Sequence, residues 1–198
     1  VSLPSATAPE SRDTGLSRRT VVAAAVLVGL LVVGVVVASR FAPRDLGDQA
    51  PVSTAKTART GPVGLVPVDA PDSGTPSCVA LTAALPGSLP NGGKALPRLD
   101  LADPAPPATA AWGDQIGDPV VLRCGLGKPP ELTPTSELRE VSGVRWLVVT
   151  GDEGASTWFA VDRPVYVALT LPTGLGTGPL QTVSEVVGRA LERQPVRP

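Results

Sequence analysis

Hydrophobic and polar positions fall into three regimes along this chain. From Thr20 to Ser39 the sequence TVVAAAVLVGLLVVGVVVAS carries no charge; it is entered from Arg18-Arg19 and left at Arg40. A helix rises about 1.5 Å per residue, so a run of this length reaches about 30 Å, the hydrocarbon thickness of a bilayer. The run predicts one membrane-spanning helix, with the lipid bilayer as its partner. A buried helix of a soluble fold is the poorer reading, because valine-rich stretches this long belong to bilayers. A cleaved signal is the better rival, since Ser17-Arg18-Arg19 before Val21-Val22 echoes a twin-arginine signal. Signal-peptide cores are shorter, at about 7–15 residues. The cleavage-like Val36-x-Ala38 also lies inside the run and leads into Arg40-Phe41. An uncleaved signal anchor is therefore expected.

The second regime has no period. From Ala42 to Pro76, prolines 43, 51, 62, 67, 71 and 76 stand among Gly, Ser, Thr and Ala with scattered apolar residues. Such a composition predicts an unstructured linker that would span about 30–35 Å as a coil. The organisation read from these shifts is a cytoplasmic tail (1–19), a span (20–39), a linker (40–75) and one domain (76–195).

The third regime is that domain. Ser77–Leu85 (SCVALTAAL) predicts a short helix with Ser77 as its cap, stopped at Pro86-Gly87. Residues 85–119 are crowded with Pro, Gly and Asp and predict loops, anchored by Leu96, Leu99 and Leu101. Pro119–Cys124 predicts a strand with Val120, Leu122 and Cys124 on one face and Val121 and Arg123 on the other. Three more strands are expected at Val144–Val149, Thr157–Asp162 and Val165–Leu171, the last with Val165, Val167, Leu169 and Leu171 on one face. Asp152-Glu153-Gly154 reads as a hairpin turn. Pro179 opens an amphipathic helix to about Arg193, with Leu180, Val183, Val187, Ala190 and Leu191 at helical spacing and Glu185 paired with Arg189. The fold class is α+β: one transmembrane helix, then a small domain with a mainly antiparallel sheet of about four strands and a C-terminal packing helix.

The cysteines bear on location. Basic residues do not orient the span, since Arg12, Arg18 and Arg19 before it nearly balance Arg40, Arg44, Lys56 and Arg59 after it. Cys78 and Cys124 both lie beyond it. A bridge between them would close a long loop and requires an oxidising compartment, which places the N-terminus in the cytoplasm and the domain outside the plasma membrane. Two independent buried thiols are the alternative. If the Val120/Leu122/Cys124 face is core, Cys124 points toward the helix carrying Cys78, as a bridge needs.

Composition mostly excludes. The formal net charge of −1 gives no electrostatic case for nucleic acid. With no histidine, Ser-His-Asp, Cys-His and zinc–histidine chemistries are out. No cofactor or metal is expected, since two thiolates without His make an incomplete site. Ser53-x-x-Lys56 matches a penicillin-binding pattern, but it lies in the linker with no S-D-N or K-T-G to follow. Gly174, Gly176 and Gly178 resemble part of a phosphate loop that nothing closes, and read as a turn. Asp100, Asp103, Asp114 and Asp118 are the candidates for acid–base work, against a plainer reading as solvated turn residues. Trp146 is expected in the core. Trp112, in a loop before Gly113, is a candidate for a partner surface, together with Arg123. In the span, Ala25/Gly29 and Gly34/Ala38 are small-residue pairs that admit a second helix.

Several local motifs carry a family resemblance: Cys78 through Leu85-Pro86, Ala111-Trp112-Gly113, Val121-Leu122-Arg123-Cys124-Gly125, Pro129-Pro130, Gly143-Val144-x-Trp146 and Val165-Tyr166-Val167. Together they resemble the actinobacterial domain of unknown function 3515 family, over the domain and the preceding span. Leu-Arg-Cys-Gly with an earlier lone Cys and an intervening Trp-Gly is the most specific part. The resemblance implies a cell-envelope protein of high-GC Gram-positive bacteria and supplies no catalytic residue. The stretch from Asp114 to Asp118 looks longer than the family pattern. Two functions follow as expectations: a non-catalytic, membrane-anchored extracytoplasmic module that binds an envelope protein or cell-wall component, and a carboxylate-dependent enzyme acting on cell-wall glycan or peptide.

Overall fold

Between residues 88 and 171 the chain folds as two four-stranded meanders that meet edge to edge. The computed structural model describes Val22, residues 58–151 and residues 154–198. The predicted tail, span and first part of the linker lie outside the described residues, Val22 excepted, and so do Asp152 and Glu153 of the expected hairpin turn. Among the described residues no helix is long and apolar enough to cross a membrane.

The first helix, α1, is Pro76–Ala84, and the strands are β1 (Ser88–Asn91), β2 (Lys94–Leu99), β3 (Thr109–Trp112), β4 (Val120–Leu126), β5 (Leu138–Val141), β6 (Val144–Thr150), β7 (Ser156–Ala160) and β8 (Tyr166–Leu171); α2, Gly178–Ala190, closes the order. The sheet runs β1-β2-β3-β4-β8-β7-β6-β5, every pair antiparallel. It is an eight-stranded curled sheet, a half-barrel, rather than the four strands expected. A bulge between Cys124 and Leu126 breaks the β4–β8 register at the seam, where it adds local twist. α2 packs against β1 at one edge and against β5 and β6 at the other, so the sheet wraps around it.

The four expected strands are β4, β6, β7 and β8, with bounds shifted by up to two residues. The reading of 85–119 as loops is corrected: it holds β1, β2 and β3. β1 and β2 contain Pro90 and Pro97, which read as breakers, and all four residues of β3 are buried, so no alternation marks it. The missed signal was Asn91-Gly92-Gly93-Lys94, a two-glycine hairpin whose glycines sit at φ +55° and +83°. β5 was missed likewise; its hairpin with β6 turns through Ser142 and Gly143, both left-handed.

The concave face and the two helices form the main core. Leu122, Cys124, Val144, Trp146, Val167 and Leu169 from the sheet meet Leu81 of α1 and Val183 and Val187 of α2, all fully buried. α2 follows the predicted stripe but ends at Ala190, and its Glu185–Arg189 pair stands at 3.8 Å. α1 begins one residue early, with Thr75 rather than Ser77 at the cap position.

The convex face is also covered in part. Residues 58–75, expected to be linker, run across β2, β3 and β4. Val63 bridges Leu101 in parallel, its N–H donating to Asp100 O at 2.8 Å and its carbonyl accepting from Ala102 N at 2.9 Å. With Leu99, Ala111 and Val121 it makes a second apolar cluster. Over β5–β8, Leu132 and Val196 close a third cluster with Leu147, Val161 and Phe159.

Candidate functional site

Leu122-Arg123-Cys124-Gly125, the most specific stretch of the sequence, is where the 58–78 segment is fastened to the sheet. Leu122 and Cys124 point into the concave core, and Cys124 forms a disulfide with Cys78 of α1, Cα–Cα 5.6 Å, both residues without solvent exposure. The expected bridge is present. Arg123 points the other way and donates from its guanidinium to Val66 O at 3.1 Å. Gly125, at φ +85°, accepts from Asp72 N at 3.0 Å, and a Cβ there would overlap the backbone of Asp72 and Ser73. Four consecutive residues thus act in turn as core, clamp, bridge and close-approach point.

Trp112 is corrected from a loop position to β3. Its side chain is completely buried, donates from Nε1 to Pro86 O at 3.0 Å, and lies beneath Arg98, whose guanidinium is 5.8 Å from the ring centroid. It faces the concave core while Arg123 faces the convex side, so the two do not form one surface. With no area open to solvent, Trp112 is a packing residue.

Arg123 remains at a surface. It is half-buried, and burial lowers its pKa from a value so high that it stays cationic at neutral pH. Among the described residues it forms no ion pair. Beside it the strap exposes Val66 by 79% and Val68 by 53%. An incompletely solvated cation and two exposed valines therefore share one patch of the convex face.

The four candidate aspartates divide. Asp114 and Asp118 line one cleft of about 320 Å³ between the β3–β4 loop and the β8–α2 loop, which also contributes Thr173 and Gly174. Asp100 lines a separate small hollow with Arg98 and Gln115, and Asp103 is exposed away from both. Asp114 Oδ1 accepts from Gly117 N at 2.8 Å and Ile116 N at 2.9 Å, and these N–H bonds, Gly117 first, hold its carboxyl below the usual range. It is a loop organiser that stays ionised, the opposite of a proton donor. Gly176 of the glycine-rich stretch donates to Asn91 Oδ1 at 2.8 Å, and Gly178 is needed where a Cβ would come 2.5 Å from Pro90 O. Those glycines serve the junction of α2 with β1. Among the described residues no group of His, Cys, Asp and Glu is arranged to hold a metal ion.

One buried charged group escaped sequence reasoning. Asp162 and Arg163, 1% and 4% exposed, stand at the end of the expected Thr157–Asp162 strand and just beyond it. Asp162 Oδ1 accepts from Arg145 N at 3.1 Å, while its Oδ2 stands 3.7 Å from Arg163 and 3.5 Å from Arg193. Arg163 donates to Gly143 O at 2.8 Å and to Asp162 O at 3.2 Å. Adjacent opposite charges at a strand end look like any solvated turn, and only the packing of α2 over them buries the pair.

No curated protein and no solved structure is similar to the chain. Residues 20–196, which include the Leu-Arg-Cys-Gly staple and both layers it joins, match the model of the family described as a protein of unknown function, DUF3515, and the chain belongs to that family.

Proposed function

We propose that this protein is a single-span envelope protein whose domain stands outside the plasma membrane as a non-catalytic binding module. The observation that carries the reading is the cystine. Cys78–Cys124 lies without solvent exposure between α1 and β4, at the centre of the fold, and such a bridge belongs to an oxidising compartment. The charge-free run Thr20–Ser39 ahead of it has the length of a membrane anchor. The patch of Arg123, Val66 and Val68 supports binding as the role: it joins exposed apolar area to a cation with no acidic partner among the described residues.

Thiol alkylation of protein denatured without reductant tests the compartment. No label before reduction and label at both cysteines after it is expected; two free thiols in native material would sink the reading. Protease added to intact spheroplasts should remove the domain, and its protection would do the same damage. Cross-linking in the native envelope should capture a partner that Arg123→Ala loses.

A carboxylate-dependent enzyme acting on cell-wall glycan or peptide is the second reading, favoured by the shared cleft of Asp114 and Asp118. It requires one acid of raised pKa. Asp114 is held in the opposite direction, which makes this the weaker reading.

A further inference from the structure

From Gly64 to Ala70 the outer strap runs without a turn or bend, and among the described residues none of its N–H groups donates a hydrogen bond. Its backbone pairing with the rest of the fold is made on either side of this stretch, at Val63 and at Asp72. Unmade donors along an extended chain are what a free sheet edge offers. Val66 and Val68 stand two residues apart, on one side of such a chain, and are 79% and 53% exposed. Leu65 turns the other way, onto the cluster of Leu99, Ala111 and Val121.

Arg123 reaches this stretch from β4. Its bond from Nη1 to Val66 O lies at the surface and is the one hydrogen bond its guanidinium makes; none of its other nitrogens is sealed from solvent. The remaining donors therefore face outward without an acceptor, beside the N–H groups of Val66 and Val68. A cation so placed attracts an anion, and its neighbours decide which. Asp69 and Asp72, both exposed on the same strap, repel a polyanionic surface, and anionic lipids are recognised by clusters of about four to eight Lys or Arg. One guanidinium among valines matches instead a single carboxylate among apolar side chains, which it can grip in two-pronged fashion. Extended segments dock on a free edge through main-chain hydrogen bonds, and their alternate side chains supply the specificity.

We infer that the strap is a docking edge for an extended protein segment with an acidic side chain: the segment pairs with the Val66 and Val68 N–H groups, lays apolar side chains on the two valines and sets its carboxylate on the free donors of Arg123. The inference rests on the reading of this face as a binding surface and adds what that surface recognises.

The test is NMR of the full-length protein in detergent micelles, following the Val66 and Val68 amides and the Arg123 Nε–Hε group. The probe is the acetylated and amidated pentapeptide Val-Thr-Glu-Thr-Val; the same peptide with Gln in place of Glu is its uncharged counterpart. Inorganic phosphate and micelles doped with phosphatidylglycerol supply the other anions. At millimolar Glu peptide a saturable shift of all three signals is expected, with slower hydrogen exchange at both valine amides and at least about tenfold weaker binding of the Gln peptide. Arg123→Gln, with its core amide spectrum native, should bind the two peptides alike. No saturable shift, equal binding of the two peptides by the unaltered protein, a retained Glu preference in folded Arg123→Gln, or a larger response to phosphate or phosphatidylglycerol would each overturn the inference. If a partner cross-linked in the native envelope is nevertheless lost in Arg123→Ala, the binding-module reading stands and only this account of its ligand falls.

Discussion

Residues 58–75 run over the convex face of β2–β4, and the tail after α2 returns past Asp162 and Pro164 to set Val196 on the convex cluster of β5–β8, yet the two coverings are fastened by different chemistry. The N-terminal strap is held mainly by backbone and covalent means, the Val63–Leu101 bridge, the Asp72–Gly125 hydrogen bond and, just beyond it, the cystine, to which the Arg59 and Arg123 guanidiniums add bonds to Gly117 O and Val66 O. The C-terminal tail is held largely through side chains. Arg193 reaches Asp162, Tyr166 Oη donates to Arg197 O at 3.1 Å, Arg197 donates to Pro164 O at 3.2 Å, and Val196 packs on the third cluster; Gln194 N adds one backbone bond to Asp162 O at 2.8 Å. A strap made mostly of small residues, with Arg59 its single long charged side chain, is fixed mainly by shape, by close approach and by a bridge. A tail carrying Arg193 and Arg197 can be fixed in part by charge. The first fastening should be sensitive to reductant and to Cβ atoms, the second to salt and to charge removal.

Five measurements break or sharpen that contrast. Removing the bridge in Cys78→Ala/Cys124→Ala frees a loop of sequence separation 46 and should cost about 4 kcal/mol in the chain-entropy account, read by denaturant unfolding. The strap amides should then lose hydrogen-exchange protection while those near Asp162 keep theirs. Asp162→Asn leaves Arg163 buried beside Arg193 with no carboxylate and should cost about 3 kcal/mol. Its loss should appear first in the tail and the β5–β6 turn; a uniform loss of protection would show that the two coverings unfold as one.

Gly125→Ala places a Cβ on the strap backbone at a left-handed residue and should cost about 2 kcal/mol. Arg123→Met keeps the stem and removes the clamp on Val66. About 1 kcal/mol is expected, with faster exchange confined to the middle of the strap. The smallest effect belongs to Asp114. Its pKa is depressed in the fold, so its contribution is present above the unfolded value and fades as pH falls below about 4. NMR of the Ile116 and Gly117 amides should show the loop loosening on acidification, and Asp114→Asn should abolish that pH dependence.

Legibility in the sequence followed the same division. Strands β4, β6, β7 and β8 were readable because each carries an apolar run long enough to show. The inward faces assigned to Val120/Leu122/Cys124 and to Val165/Val167/Leu169/Leu171 are those that face the main core, although Val121 and Ala168 behind them are buried as well. Strands β1–β3 were not readable, because prolines and glycines dominate their local signal and burial on both faces erases alternation in β3. Trp112 was misplaced for that reason: once its stretch is taken as loop, a tryptophan reads as a surface residue. The Cys78–Cys124 pairing was legible from count and facing, whereas the roles of Arg123 and Gly125 were not, since the strap they hold has the composition of a linker.

Composition and periodicity alone determined the charge-free run of membrane-spanning length, the absence of histidine chemistry, the α+β class, the terminal helix and its inward stripe. These follow from local properties of consecutive residues: hydropathy, backbone preference and side-chain period. Tertiary structure alone decided that the sheet has eight strands curled around α2, that a proline-rich stretch is its outer cover, and that Asp162 and Arg163 are buried. Each of those depends on which distant segment lies across a residue, and burial, unlike propensity, is conferred by the partner.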